Sequence, residues 1–106
     1  MKVNLRELLK TDFDLDFPIS GGVGNSIDDP IIIHRSEPND PVGVEHGILR
    51  CLSAGRRLGM QVIGQELMDH NGKRIDRLRV LITPSNADEE DTWVERYYFD
   101  ITETWG

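Results

Sequence analysis

The sequence predicts an α+β fold, in which one long helix packs across a face of a mostly antiparallel, curved sheet of about five strands. Residues 41–58 carry the capping residues and the apolar spacing of a helix. An Asn71-Gly72 pair between two long strand-like runs predicts a β-hairpin. The expected order, α-β-β-α-β-β-β, lacks the alternation of strand and helix that marks parallel sheets. The 106 residues are expected to form one α+β domain, spanning 1–106.

The first third of the chain predicts one short helix and two strands. Apolar residues recur at roughly helical spacing within 2–10, which predicts an amphipathic helix. Residues 12–19 alternate between aspartate and apolar side chains as far as Phe17 and predict a half-buried strand, with Pro18 favouring a sheet edge or a strand end. The apolar run at 30–34 predicts a strand that is covered on both faces, towards the sheet centre.

The long helix is predicted from its two ends. Asp40 is suited to cap the free amides, Pro41 fits the first helical position, and Gly59 is the expected stop. The expected buried face consists of Val44, Ile48, Cys51, Leu52 and Gly55. Glu45 and His46 are expected to point away from it. The small residues at four-residue spacing, Gly43, Gly47, Cys51 and Gly55, predict close packing against the sheet or another helix.

Two strands at 60–69 and 74–83 are predicted on either side of the Asn71-Gly72 turn. The two-residue loop sets Met68 opposite Ile75, Glu66 opposite Arg77, Gly64 opposite Arg79 and Val62 opposite Leu81 on one face, and Leu67 opposite Asp76 on the other. The face that holds Ile63, Leu78, Val80 and Ile82 is expected to pack on the long helix. The last strand, 92–104, carries an aromatic face made of Trp93, Tyr97, Phe99, Ile101 and Trp105.

Composition narrows the classes of partner. The 19 acidic and 12 basic side chains give a formal charge of −7, which disfavours nucleic acid as a partner. No apolar run approaches the roughly 20 residues that a membrane span needs, so no membrane partner is expected. The single cysteine excludes an internal disulfide and fits a reducing compartment, which predicts a cytoplasmic protein.

The glycine-rich loop after the first predicted strand is the most distinctive motif. It contains Gly21, Gly22, Gly24, Asn25 and Ser26, and the pair Asp28 and Asp29 follows. A phosphate-binding loop would carry a lysine or the spacing G-x-G-x-x-G and would open a helix, whereas this loop leads into a strand and two acids. We therefore interpret it as a connection between strands, with a small-molecule or partner-binding loop as the alternative.

Metal sites and catalytic groups find little support in the spacing. Asp12, Asp14 and Asp16 lack the glycine and glutamate of a calcium-binding loop. A local cluster consists of Asp28, Asp29 and His34, but its spacing is not that of a zinc site. Folding that brought His34, His46 and a carboxylate together would still allow a zinc or iron site. Cys51 lies on the apolar stripe and is expected to be inert, since His46 projects about 140° away from it. No catalytic residue, metal or cofactor is predicted, and the chain is expected not to be an enzyme.

These observations favour a small acidic, non-enzymatic protein-binding module, such as an inhibitor, an immunity-type protein or an adaptor. Acidic residues at 12–16, 28–29 and 88–91 would steer a basic protein partner, although solubility explains the same charge equally well. The alternative is a small-ligand-binding protein or enzyme with a pocket between helix and sheet, for which the candidate lining residues are His34, Arg77, Arg79, Trp93, Tyr97 and Tyr98. The candidate binding residues of either function are Gly21, Gly22, Gly24, Asn25, Ser26, Asp28, Asp29, His34, Arg77 and Arg79.

Self-association is a further expectation. The faces that point away from the long helix carry a surplus of apolar residues, namely Val62, Met68, Ile75, Leu81, Val94 and Tyr98. Apolar patches of that size rarely stay in contact with water. Either a homodimer or cover by the N-terminal helix would account for them.

Overall fold

The computed structural model describes residues 4–85 and 91–105, and it confirms the α+β class and the order of helices and strands. Most of the predicted acidic loop at 88–91 lies outside the described residues. The elements are α1 Leu5–Phe13, β1 Ile19–Gly21, β2 Ile31–Ile33, α2 Pro41–Arg56, β3 Leu58–His70, β4 Lys73–Pro84 and β5 Trp93–Asp100.

The five strands form one sheet in the order β1-β2-β5-β4-β3. β1 lies at the edge, where Pro18 had placed it, and β2 lies between β1 and β5. Every neighbouring pair is antiparallel except β2 and β5, which run parallel. The sheet is therefore mostly antiparallel, as predicted, with one parallel pair. The chain passes through α2, β3 and β4 between the two strands of that pair, β2 and β5.

The predicted strand at 12–19 is wrong. α1 continues to Phe13 and ends at Asp14, whose left-handed conformation (φ 57°) lets its amide bond to the Lys10 carbonyl. The alternating apolar positions are still used, since Phe13 and Phe17 both pack against the core. They reach it from a helix end and from the segment after it, so the aspartates between them do not line a strand face. Asp16 instead pairs with Arg6 at 2.7 Å.

The start of α2 is as predicted and its end is not. The Asp40 side chain accepts a hydrogen bond from the Gly43 amide at 3.0 Å, and Pro41 is the first helical residue. The helix stops at Arg56, because Arg57 adopts a left-handed conformation (φ 56°) and β3 begins directly after it. Gly59 lies inside β3 and does not cap the helix.

Two of the three glycines of α2 meet aromatic rings, whereas Gly43 meets the carboxylate of the capping residue Asp40. A Cβ atom on Gly47 would lie 2.9 Å from Cε1 of Phe17, while one on Gly55 would lie 3.6 Å from Cζ of Phe13. The segment from the end of α1 to Phe17 therefore packs closely on α2 at Gly47. The expected close approach is present, and aromatic side chains fill it.

The hairpin turn has positive φ at both Asn71 (52°) and Gly72 (77°), as a type I′ turn requires. The predicted register holds from the turn to the pairing of Gly64 with Arg79. Between Gly64 and Val62 the register shifts by a β-bulge, so Val62 pairs with Val80 and not with Leu81. Ile63 is 45% exposed as a result, and its predicted place against the helix is wrong.

One core lies between the sheet and the two helices. Leu78, Val80 and Ile82 are buried in it, which confirms the predicted packing face for these three strand residues. α1 contributes Leu5 and Leu9 to the same core, so it lies on the side of α2 and does not cover the opposite side of the sheet, the outer face. Within the described ranges, no helix has the length and apolarity needed to cross a membrane.

Candidate functional site

The glycine-rich loop borders a cavity of about 600 Å³, which we call the loop cleft. Its other wall is the tip of the hairpin formed by β3 and β4. Apolar side chains line its floor, namely Ile27, Ile32 and Ile75. The charged residues around it are Asp28, Asp29, His70, Lys73 and Asp100. The cleft therefore combines an apolar floor with a charged rim, which is the usual composition of a binding pocket.

The loop that forms this cleft is tightly bonded. The Gly22 amide donates to the Pro30 carbonyl and the Gly24 amide to the Asp29 carbonyl, both at 3.0 Å, and the Tyr98 amide donates to the Gly24 carbonyl at 2.8 Å. Gly24 has a φ of +79°, and a side chain at Gly22 would collide with the Asp29 carboxylate. The loop is a turned connection between strands, as interpreted from the sequence, and it also walls a cavity.

The carboxylates of the cleft differ in how far hydrogen bonds and nearby cations neutralise their charge. Buried Asp100 accepts hydrogen bonds from the Thr102 amide at 3.0 Å and from its hydroxyl at 2.6 Å, with Lys73 Nζ at 3.5 Å from its other oxygen. Asp28 and Asp29 are exposed, and Asp28 lies 3.3 Å from Nε2 of His70. Asp28 and Asp29 therefore supply the accessible negative charge of the rim.

His34 does not lie on the floor of this cleft. Its Nε2 is 2.7 Å from the Ser20 hydroxyl, and its Nδ1 is 2.5 Å from the Glu103 carboxylate, whose pKa the hydrogen bond with His34 lowers. A serine, a histidine and a carboxylate in this order resemble an activated nucleophile in geometry. Sequence reasoning singled out His34 and missed the other two, because they are 14 and 69 residues away from it and no local motif connects them.

The two candidate arginines lie on the outer face of the sheet, the face that also carries Ile75 of the cleft floor, and neither of them lines the loop cleft. Arg77 Nη2 contacts Glu66 at 2.5 Å, as the predicted cross-strand pair requires. Arg79 is exposed and pairs in register with Arg96 on β5. The remaining loop candidates, Asn25 and Ser26, are exposed residues of the turn.

A pair of buried carboxyl groups was not predicted. Glu45 was expected to point away from the core, but it is 1% exposed, and Asp76 facing it is 2% exposed. Gln65 Nε2 lies 2.9 and 3.1 Å from the two oxygens of Asp76. Burial, together with a hydrogen bond and the charge of Asp76, raises the pKa of Glu45 to about 10.

A signal for this carboxyl pair was present in the sequence. The predicted hairpin register already set Asp76 on the same face as Leu78, which is the face that packs on α2. A helix that packs on a sheet buries a stripe of side chains at least 100° wide around the helix axis. Glu45, next to Val44, lies at the margin of that stripe. The expectation that Glu45 is exposed was wrong, because the predicted apolar stripe was narrower than the helix face that packs on the sheet.

The structure also locates the residues considered for metal binding and thiol chemistry. Over 4–85 and 91–105, no three histidine, cysteine, aspartate or glutamate side chains come close enough to hold a metal ion. Cys51 is buried in the core, and burial raises the pKa of its thiol. A buried thiol with a raised pKa is a poor nucleophile.

Comparison with models of known protein families, with curated proteins and with solved structures found no match.

Proposed function

We propose that this chain is a non-enzymatic binding protein that recognises a basic segment of a partner protein in the loop cleft. The observation that carries the proposal is the cleft itself, a cavity of about 600 Å³ with an apolar floor and with Asp28 and Asp29 at its mouth. An arginine or lysine side chain has a matching build, because its methylene stem is apolar and its head is cationic.

Electrostatics support a cationic occupant. Asp100 is already satisfied by Thr102 and Lys73, which leaves Asp28 and Asp29 to face an incoming ligand. The chain as a whole carries a formal charge of −7, which would speed the approach of a basic partner at low ionic strength. An anionic ligand would meet repulsion from Asp28 and Asp29 and, at long range, from the net charge of the chain.

The test uses a defined peptide and nuclear magnetic resonance. An acetylated tri-arginine peptide is titrated into the ¹⁵N-labelled chain, with the tri-citrulline peptide as the uncharged control. We expect amide shifts in residues 21–29 and 70–75 with arginine only. The double variant Asp28→Asn, Asp29→Asn should weaken binding by about tenfold or more, as loss of two nearby carboxylates implies.

The matched control removes the same charge elsewhere. Asp12 and Asp14 lie at the end of α1 and are exposed, and asparagine tolerates the left-handed conformation of residue 14. The variant Asp12→Asn, Asp14→Asn should leave the affinity nearly unchanged. Equal weakening by both double variants would show that only net charge matters, and the proposal would then fail.

Hydrolysis is a second candidate function, favoured by the contacts of His34 with Ser20 and Glu103. In such a reaction the Ser20 oxygen attacks an ester carbonyl, His34 takes the hydroxyl proton and passes it to the leaving alcohol, and water then releases the acid from the serine ester. Ser20 also lines a cavity of about 530 Å³ beside α1, where an ester has room. The Glu103 side chain is half exposed, so water competes for the same contacts.

Two measurements test this candidate. Release of p-nitrophenol from p-nitrophenyl acetate should exceed that of the Ser20→Ala variant by at least about a hundredfold, as a general base and a nucleophile together provide. A fluorophosphonate reagent should label Ser20 alone among the serines. Equal rates in the two proteins, or label on other serines only, would exclude hydrolysis and leave the three residues as a structural link between β1, β2 and the C-terminal segment.

A further inference from the structure

The carboxyl pair, Glu45 and Asp76, lies at the bottom of another cavity. This helix–sheet cavity has a volume of about 340 Å³ and opens between the start of α2 and the strands β3 and β4. Its mouth is apolar, because Val42, Leu67 and Trp105 are 53%, 40% and 52% exposed. Exposed apolar side chains around a polar floor are arranged as in a pocket for a small amphipathic molecule.

One oxygen of the pair lacks a donor. Glu45 Oε2 is buried and, among the described residues, has no hydrogen-bond partner. Both oxygens of Asp76 accept from Gln65, and the side chain of Glu45 also forms a hydrogen bond with Asp76. A buried acceptor without a donor is rare in folded proteins and marks a place where a donor is missing. The cavity lies where that donor would enter.

The pair also faces no cation among the residues that line the cavity. Gln65 is neutral, and Arg74 beside Trp105 already has partners, since its guanidinium lies 4.4 Å from the centre of the Trp105 ring and pairs with Asp69 at 3.4 Å. Asp40 at the start of α2 adds a negative charge on the same side. A buried carboxylate is stable in a protein when a cation or several donors face it.

We propose that the helix–sheet cavity is a binding site for an alkylammonium group, whose N–H bonds are accepted by Glu45 and Asp76 and whose alkyl chain lies against Val42, Leu67 and Trp105. An ammonium group supplies up to three donors and a positive charge, which matches both deficiencies. A carboxylate ligand would be repelled, and an alcohol would satisfy the acceptor without neutralising the charge. This site is separate from the loop cleft and does not depend on it.

An alkylammonium group has two sources, a free amine or the lysine side chain of a protein. The experiment titrates ¹⁵N-labelled chain with butylammonium and, in a second arm, with Nα-acetyl-lysine methylamide. Butanol and butyrate serve as matched neutral and anionic ligands. We expect butylammonium to shift the amides of residues 42–45, 65–67, 76 and 101–105. Binding of the lysine compound to the same amides assigns a protein source, and its failure to bind assigns a free amine.

Three variants test the assignment of roles. Asp76→Asn removes the negative charge and should weaken butylammonium binding by about tenfold or more. Trp105→Ala leaves the carboxyl pair intact and should weaken binding by several-fold, which keeps the test valid if Asp76→Asn does not fold. Asp12→Asn removes one exposed carboxylate from α1 and should leave the affinity unchanged.

The pH dependence gives an independent readout. As the pH rises from 7 to 9 the pair begins to lose its shared proton, so its attraction for an ammonium group increases and the affinity should rise. Glu45→Gln cannot ionise, so the rise in affinity between pH 7 and 9 should be absent in that variant. The proposal is overturned if butylammonium shifts no cavity amide, or if butanol binds as well as butylammonium.

Discussion

Gly47 and Gly55 belong to the same face of α2 but meet different neighbours. At Gly47 an added methyl group would come within 2.9 Å of the Phe17 ring, which is tighter than carbon atoms tolerate. At Gly55 the nearest atom is Cζ of Phe13 at 3.6 Å, an ordinary contact. Helix propensity favours alanine at both positions by the same amount, so only the packing distinguishes them.

The two alanine variants should therefore change stability in opposite directions. Gly55→Ala should stabilise the protein by up to about 1 kcal/mol, since it gains helix propensity without a clash. Gly47→Ala should destabilise it by about 1–3 kcal/mol, because the displaced Phe17 ring costs more than the propensity gained. Urea unfolding of both variants measures the difference. Stabilisation by both would mean that the Phe17 ring moves aside freely.

At the scale of elements, the region 12–19 shows how a local pattern is outweighed by long-range packing. Its alternation is typical of a strand, but the Phe13 ring reaches the core from the last turn of α1 and Phe17 reaches Gly47 of α2. Both rings are partly buried in this arrangement, so they pack against the core without forming a strand. The edge strand is therefore limited to Ile19–Gly21, which pairs with β2 in antiparallel orientation.

The hairpin illustrates the opposite case, in which a local signal extends a long way. Asn71 and Gly72 determine the register of β3 and β4 over seven residues, because a two-residue turn leaves no freedom in the first pairs. The bulge at Ile63 then reverses which side chains face α2, so Val62 faces the helix and Ile63 does not. No residue type at 62–64 marks the bulge except Gly64, and an isolated glycine in a strand is only a general indication.

For the molecule as a whole, the pKa values of two glutamates make the free energy of unfolding depend on pH in opposite directions. Glu95 accepts two hydrogen bonds from Arg56, at 2.6 and 2.9 Å, and one from Trp93, and the Arg56 bonds in particular lower its pKa to about 2. Its stabilising effect is present above its ordinary pKa of 4.5 and is lost as the pH falls towards 2. The network ties the end of α2 to β5.

Glu45 acts in the other direction, since burial raises its pKa from 4.5 to about 10. Its contribution is fully present below pH 4.5 and is lost as the pH rises towards 10, because the unfolded chain releases a proton that the folded chain retains. Stability should fall by up to about 1.4 kcal/mol per pH unit over that interval. Glu45→Gln should flatten this decline.

Urea unfolding at pH 3, 5, 7 and 9 separates the two effects. The Glu95→Gln variant serves as the control, because it should lose only the decline on the acid side and retain the decline on the alkaline side. A Glu45→Gln profile that runs parallel to the wild-type profile above pH 5 would mean that the carboxyl of residue 45 is not buried in its protonated form.

The sequence alone was sufficient to predict the class, the order of elements, the start of α2 and the hairpin turn. Each of these depends on residues within a few positions of one another: Asp40 and Pro41 at a helix start, or Asn71 and Gly72 in a turn. Local bonding decides such features, so local sequence contains them. The loop at 21–29 was also identified as a candidate wall of a site.

Tertiary structure decided how distant side chains meet. Only the folded chain brings Glu103 to His34 and Ser20, sets Asp28 beside His70 and buries Glu45 against Asp76. These contacts depend on the parallel pairing of β2 with β5 and on how α2 crosses the sheet, which no local spacing encodes. The elements were therefore determined by short-range chemistry in the sequence, whereas the cavities and the buried carboxyl pair arise from long-range packing of those elements.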